Sequence, residues 1–258
     1  MGVVNITLDS FSDGGRYVDA PSAIARVAQL AAEGAAIVDL GAESTRPGAE
    51  RIGAAEQLGR LLPVIEGLSD PPPLSIDTTR AEVADEALRR GATLINDVSA
   101  GRDDPELLEV VADHGADLCL MHMRGDPATM QHAPRYDDVV AEVRAFLAER
   151  VEAAVAAGVD PAGILIDPGI GFGKTLQHNL ALLAGVGELA GLGHPVLVGV
   201  SRKSMFGAML GREVHERLVP SVAAGLAALA RGASIVRVHD VADTVDAITV
   251  WQAVSGDA

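Results

Sequence analysis

A chain of 258 residues, 48% hydrophobic and 22% charged, carries ample material for one large core, and α/β barrels run to this length as a single unit. Its formal net charge of −16 argues against nucleic acid or an anionic membrane as partner, since either needs a basic surface. The one cysteine, Cys119, lies in an apolar run and reads as a small core residue; no run approaches the ~18 apolar residues of a membrane span and no leader pattern opens the chain, so a cytoplasmic setting is expected.

Short apolar runs then alternate with helical periodicity. Strands are expected at 2–7, 36–40, 74–77, 93–97, 117–122, 164–167, 196–200 and 235–238. Helices are expected at 22–34, 54–68, 79–90, 105–114, 137–157, 177–189, 217–231 and 243–254, several closed by a glycine such as Gly34, Gly91 or Gly232. Long polar loops at 8–19 and 41–53 follow the first two strands and could close over a site. Eight strand–helix pairs without a linker or composition break predict a (β/α)8 TIM-type barrel, one domain over 1–258. A doubly wound open sheet is the alternative, but its G-x-G-x-x-G fingerprint after the first strand is missing.

In such a barrel the chemistry gathers at the C-terminal ends of the strands. The polar residues there are Asn5, Glu43 with Ser44, Thr45 and Arg46, Asp77, Asn96 with Asp97, His122, Asp167, Ser201 to Ser204, and Arg237 with His239. Chains leave the core at strand ends, so polar tips alone mean little. Two aspartates, an asparagine and a lysine converging on one rim mean more: Asp77 and Asp167 accept, Asn96 does both, and Lys203 donates. That set suits a flat heterocycle with an N–H edge and a carbonyl, whereas a plain Lys–Asp ion pair is the structural alternative. Arg202, Arg237 and His239 form a cationic cluster suited to phosphate, and free N–H groups of the turn after Lys203 and Ser204 could hold an anion.

Two other patterns carry less. GIGFGKT (residues 169–175) resembles a P-loop, but the glycine required five positions before Gly173 is Pro168, so that reading fails. His122, His178 and His239 lack the spacing of a metal-binding set.

The segments GVVNITLDSFSDGG, ESTRPGA, SIDTTRAEVA, INDVSAG, LMHMRGDPATMQ, IDPGIGFGKT, LVGVSRKSMFG and IVRVHDV together resemble, in order, the motifs of the bacterial dihydropteroate synthase family. The resemblance implies a TIM-type barrel, usually a homodimer. Its reaction condenses 6-hydroxymethyl-7,8-dihydropterin diphosphate with 4-aminobenzoate, releasing pyrophosphate with Mg2+. It implies that Asp77, Asn96, Asp167 and Lys203 hold the pterin, with Met121 and Gly171 lining its pocket. Asn5, Arg237 and His239 would take the diphosphate, Asn5 also binding the metal. Phe11, Thr45, Arg46, Pro47, Phe172 and Ser204 would surround 4-aminobenzoate, where sulfonamides compete.

Three positions depart from the family pattern. Leu8 stands where the family has proline, Ala42 replaces a glycine, and Met1 coincides with a methionine normally inside the first strand. A missing leading segment is therefore expected to affect stability more than chemistry. A corrinoid-linked pterin methyltransferase would share the Asp/Asn set without needing ESTRPG, SRKS or RVHDV, and a non-catalytic pterin binder would be expected to lose Thr45, Arg46 or Lys203.

Overall fold

The computed structural model describes residues 1–6, 20–44, 51–126 and 129–256. Strands and helices alternate along them. In order they are β1 (Gly2–Asn5), α1 (Ala20–Ala32), β2 (Val38–Gly41), α2 (Ala54–Gly67), β3 (Leu74–Asp77), α3 (Ala81–Leu88) and β4 (Leu94–Asp97). Next come α4 (Glu106–His114), β5 (Asp117–Met121), α5 (Val139–Ala156), β6 (Ile164–Asp167), α6 (Leu176–Ala184) and α7 (Val186–Ala190). The last elements are β7 (Leu197–Val198), α8 (Ser204–Leu210), α9 (Leu218–Leu229), β8 (Ile235–Val236) and α10 (Val241–Ser255).

All pairings are parallel. β1 to β6 form one sheet in chain order and β7 pairs with β8. Isolated bridges Ile166–Val196 and Gly2–Val238 join the two sheets at both edges, so the strands close into a ring. The backbone bonds Val3 N–H to Val238 C=O and Ile166 N–H to Pro195 C=O, each 3.0 Å, seal those seams. This is the expected (β/α)8 barrel.

Period-two alternation sorts each strand into an inward and an outward face. Outward residues such as Val4, Leu40, Ile76, Ile95, Leu118 and Ile166 are fully or almost fully buried against the helices, whose Val27, Leu30, Leu61, Val83 and Leu147 meet them. Each such side chain contributes ~1.5–3 kcal/mol through burial. The inward face is layered. Leu94, Cys119, Leu165 and Leu197 plug the lower barrel, with Met1, Ile37 and Ile235 against them. Above that plug the register aligns Val3 with Asp39 and Asp39 with Ser75, and then Asn5 with Gly41, Gly41 with Asp77 and Asp77 with Asn96. Met121 aligns with Asp167 in the same upper layer. The interior is thus apolar below and charged above.

Three expected elements differ most. The helix read over 177–189 is broken into α6 and α7 at Gly185, where an added Cβ would lie 2.9 Å from Val140 of α5. β7 and β8 are each only two residues long, against the five and four expected, and lead to Lys203 and Arg237.

The loop after β6 lies directly on the loop after β5. Gly169 has φ +65° and a Cβ there would come 2.0 Å from the His122 carbonyl oxygen. Gly173, φ +62°, meets the Arg124 carbonyl in the same way at 2.4 Å. Gly169→Ala is expected to lower stability by about 2–3 kcal/mol, from left-handed backbone strain plus displacement of a carbonyl. Urea unfolding measures it, and an unshifted midpoint at equal slope would contradict the contact.

Candidate active site

The upper inward layer is organised by Asp39, a carboxylate in the middle of β2 with no solvent exposure. It accepts from Ser75 Oγ at 2.6 Å, Asn96 Nδ2 at 3.2 Å and Arg237 Nε at 2.6 Å. Arg237 Nη2 also reaches Asp77 Oδ2 at 3.0 Å. Burial alone would lower the Arg237 pKa, but Asp39 and Asp77 outweigh it and raise it, so the guanidinium is a fixed cation. Nη1 makes no hydrogen bond among the described residues.

Over this layer opens a narrow cleft with Asp77, Asn96, Asp167, Lys203 and Arg237 on its walls and Val98, Met121, Ile170 and Phe172 between them. Asn96 is the informative residue. Because its Nδ2 is committed to Asp39, its Oδ1 is the acceptor left over, and it is the one buried side-chain polar atom without a partner among the described residues. Leaving a buried acceptor unsatisfied costs about 1–3 kcal/mol, which a ligand N–H would recover. Asp167 accepts from the Gly169 N–H at 2.7 Å; burial raises its pKa, opposed by that bond and by Lys203. The Asp77 carboxyl is also raised, by burial and then by Asp39, against the pull of Arg237.

Lys203 faces these acceptors, its ammonium 4.2 Å from the Phe172 ring centroid. Burial lowers its pKa to about 8, with Asp167 pulling the other way. A Cβ on Gly171 would stand 3.2 Å from Lys203 Cδ, so the glycine makes room for the lysine stem. The cleft therefore brings the acceptors Asp77, Asn96 and Asp167 together with the cations Lys203 and Arg237. A larger cavity of about 270 Å³ lies against α10 at the N-terminal ends of the strands, but no charged side chain lines it.

A family model described as "Pterin binding enzyme" matches residues 1–239. A dihydropteroate synthase of Neisseria meningitidis serogroup B is 50% identical, covering 98% of this chain and 91% of the relative. The solved dihydropteroate synthase of Xanthomonas albilineans with 4-aminobenzoic acid superposes with a TM-score of 0.93 at 52% identity, over 98% of this chain and 92% of that one. The chain belongs to the dihydropteroate synthase family of pterin-binding enzymes. A Yersinia pestis member of this synthase family, solved with a sulfonamide drug complex, has a TM-score of 0.93 at 43% identity, over 99% and 93% of the two chains.

Of the residues expected for the synthase family, Asp77, Asn96, Met121, Asp167, Phe172, Lys203 and Arg237 meet in one cleft, with Gly171 against Lys203. Asn5 ends β1 with its Oδ1 toward Gly41, in the layer of Asp77. His239 Nδ1 lies 3.0 Å from Ser201 Oγ, and burial followed by Arg237 lowers its pKa to about 4. Ser204 is the exposed first residue of α8. Phe11, Thr45, Arg46 and Pro47 lie outside the described residues.

Arg202 and Arg237 of the expected cationic cluster both lie near enough to His239 to lower its pKa, and each also has a carboxylate partner. Arg202 forms an ion pair with Asp240, and Arg237 turns into the barrel because its place beyond β8 is inward-facing, toward Asp39. Asp97 and Glu43, read as strand-tip candidates, are spent on their own loops: Asp97 accepts from Ser99 and Gly101 N–H groups, Glu43 from Ile52 N–H and Gln57. Asp39 and Lys174 are the residues that the strand-tip reading missed. A carboxylate inside the apolar run I-V-D-L was the available signal for Asp39, since such a group is buried only when paired.

Proposed function

We infer that the chain is a dihydropteroate synthase, joining 6-hydroxymethyl-7,8-dihydropterin diphosphate to 4-aminobenzoate and releasing pyrophosphate. The observation that carries this is the unpartnered Asn96 Oδ1 between Asp77 and Asp167, facing Lys203. A pterin presents N–H donors along one edge for those acceptors, and a carbonyl and ring nitrogen for the lysine.

In the reaction the methylene C–O bond breaks, pyrophosphate leaves with the bonding pair, and the aniline nitrogen attacks the methylene carbon and then loses a proton. Asp77 and Asp167, held close to the ring, favour the positive charge that spreads into it as the bond lengthens. Arg237 Nη1 and His239 would meet the diphosphate. An anion beside His239 raises its pKa from about 4, turning a neutral ring into a better donor as the leaving group gains charge. No covalent intermediate is needed. Phe172, between Lys203 and the open side of the cleft, would bound the 4-aminobenzoate site, where sulfonamides would compete.

Among the described residues no three His, Cys, Asp or Glu side chains gather into a cage. The amide oxygen of Asn5 stands in the upper layer, and a single such protein ligand fits Mg2+ held chiefly by substrate phosphate oxygens and water. Asn5 would contribute that ligand, and bound Mg2+ would supply charge neutralisation on the leaving group. A homodimer fits the exposed apolar residues Leu210 of α8 and Val219 of α9. A cytoplasmic setting belongs to the same reading; among the described residues no helix is long and apolar enough to cross a membrane.

The deciding experiment is a coupled pyrophosphate assay with the pterin diphosphate and Mg2+, with and without 4-aminobenzoate. Release that depends on 4-aminobenzoate is expected. Well-folded protein that binds the pterin yet releases none would overturn the reading in favour of a non-catalytic pterin binder.

A further inference from the structure

Lys174 was noticed in the sequence only as part of a failed P-loop, and the mechanism above gives it no task. Its side chain is buried, 3% exposed, and forms no ion pair among the described residues. The ammonium lies 2.9 Å from His122 Nδ1, 3.3 Å from the His122 carbonyl and 2.9 Å from the Phe172 carbonyl. Burial lowers the Lys174 pKa to about 7 against the pull of Asp167, and in the ammonium form each of its three N–H donors finds one acceptor here. His122 is fitted for its part. Burial and then the nearby Lys174 charge lower its pKa to about 2, so the ring is neutral, and Nδ1 accepts with the proton on Nε2. Packing alone does not call for a cation at this position, because a methionine would fill the space without the several kcal/mol needed to desolvate an unpaired charge.

The three acceptors belong to two loops, His122 after β5 and Phe172 after β6. The Phe172 backbone is therefore tied to the β5 loop while its ring lies under Lys203 and on the cleft wall. The flanking residues are fastened separately: Gly171 N–H donates to Asn179 Oδ1 at 2.8 Å, and Tyr136 Oη donates to the Gly173 carbonyl at 2.9 Å.

We propose that Lys174 is a positioning residue for the second substrate, its ammonium aiming the Phe172 ring that bounds the 4-aminobenzoate side of the cleft. This rests on the synthase reading above. In Lys174→Met the KM for 4-aminobenzoate should rise roughly tenfold, in line with small displacements of positioning groups. The KM for the pterin diphosphate and kcat should stay within about twofold. Phe172→Leu should raise the same KM, and the double variant should be little worse than the worse single one, because the two residues act through one ring. If the methionine variant does not fold, as judged by its thermal transition and by pterin calorimetry, Lys174→Gln is measured against the same expectations. An unchanged KM for 4-aminobenzoate, equal losses toward both substrates, or additive effects in the double variant would overturn the proposal. Absence of 4-aminobenzoate-dependent turnover in the wild type would instead sink the synthase reading, leaving the two failures distinct.

Discussion

Replacing Lys203 by alanine is expected to weaken binding of the pterin diphosphate roughly 100-fold, the loss of a charge-assisted hydrogen bond worth about 1.5–3 kcal/mol. Among the described residues the cleft offers acceptors from Asp77, Asn96 and Asp167 but, besides the bound guanidinium of Arg237, only this lysine side chain to meet a carbonyl or ring nitrogen. Asp167 would also lose a neighbour that restrains the rise of its pKa. The pH dependence separates this role from a merely steric one. With burial holding the Lys203 pKa at about 8, the ammonium that the ligand needs is present below that pH and lost above it. Wild-type affinity should therefore fall as pH rises beyond 8, a fall that Lys203→Ala should lack, while both proteins should weaken as pH drops through about 7, where the Asp77 carboxylate, its pKa raised by burial, takes up a proton. Calorimetric titration at several pH values reads both effects, and unchanged affinity in the variant would refute the assignment.

The second large effect is expected at Asp39, which touches no ligand in this reading. Asp39→Ala leaves Arg237 with Asp77 alone and strands the donors of Ser75 and Asn96. Breaking one side of a buried pair costs about 3–5 kcal/mol, and the remaining contact to Asp77 points to the lower end of that range. Chemical unfolding should show the loss. Pterin affinity should fall as well, because the Asn96 amide is free to turn and Arg237 is drawn fully onto Asp77. A folded variant with wild-type pterin affinity would show that Asp39 serves stability only.

The architecture was readable because its signals are local. Each apolar run with its following helical period falls within a few tens of residues, and the tips Asp77, Asn96 and Asp167 stand where strands end. Asp39 escaped because its meaning depends on Arg237, 198 residues away, and nothing nearby announces that partner. The ties of Arg237 to Asp39 and Asp77 were not legible, because those partners lie 198 and 160 residues away. The role of Lys174 depends on His122, 52 residues away, which the failed P-loop spacing does not reveal. The break in the helix at Gly185 depends on the approach of Val140 from another helix, which periodicity alone does not reveal.

The ring of strands is uneven. From β1 to β6 the strands pair along their lengths, while β7 and β8 form a two-residue pair attached by one isolated bridge on each side. Asp77, Asn96 and Asp167 belong to the long arc; Lys203 and Arg237 follow the strands of the short one. In the cleft the carboxylates thus come from the long arc and the cations from the short one, and Arg237 already ties the two through Asp39 and Asp77. A heterocycle gripped at both edges spans the division, so part of its binding free energy resists separation of the arcs, as any ligand that binds only the closed state must. The pterin would act as a clasp on the barrel as well as a substrate within it.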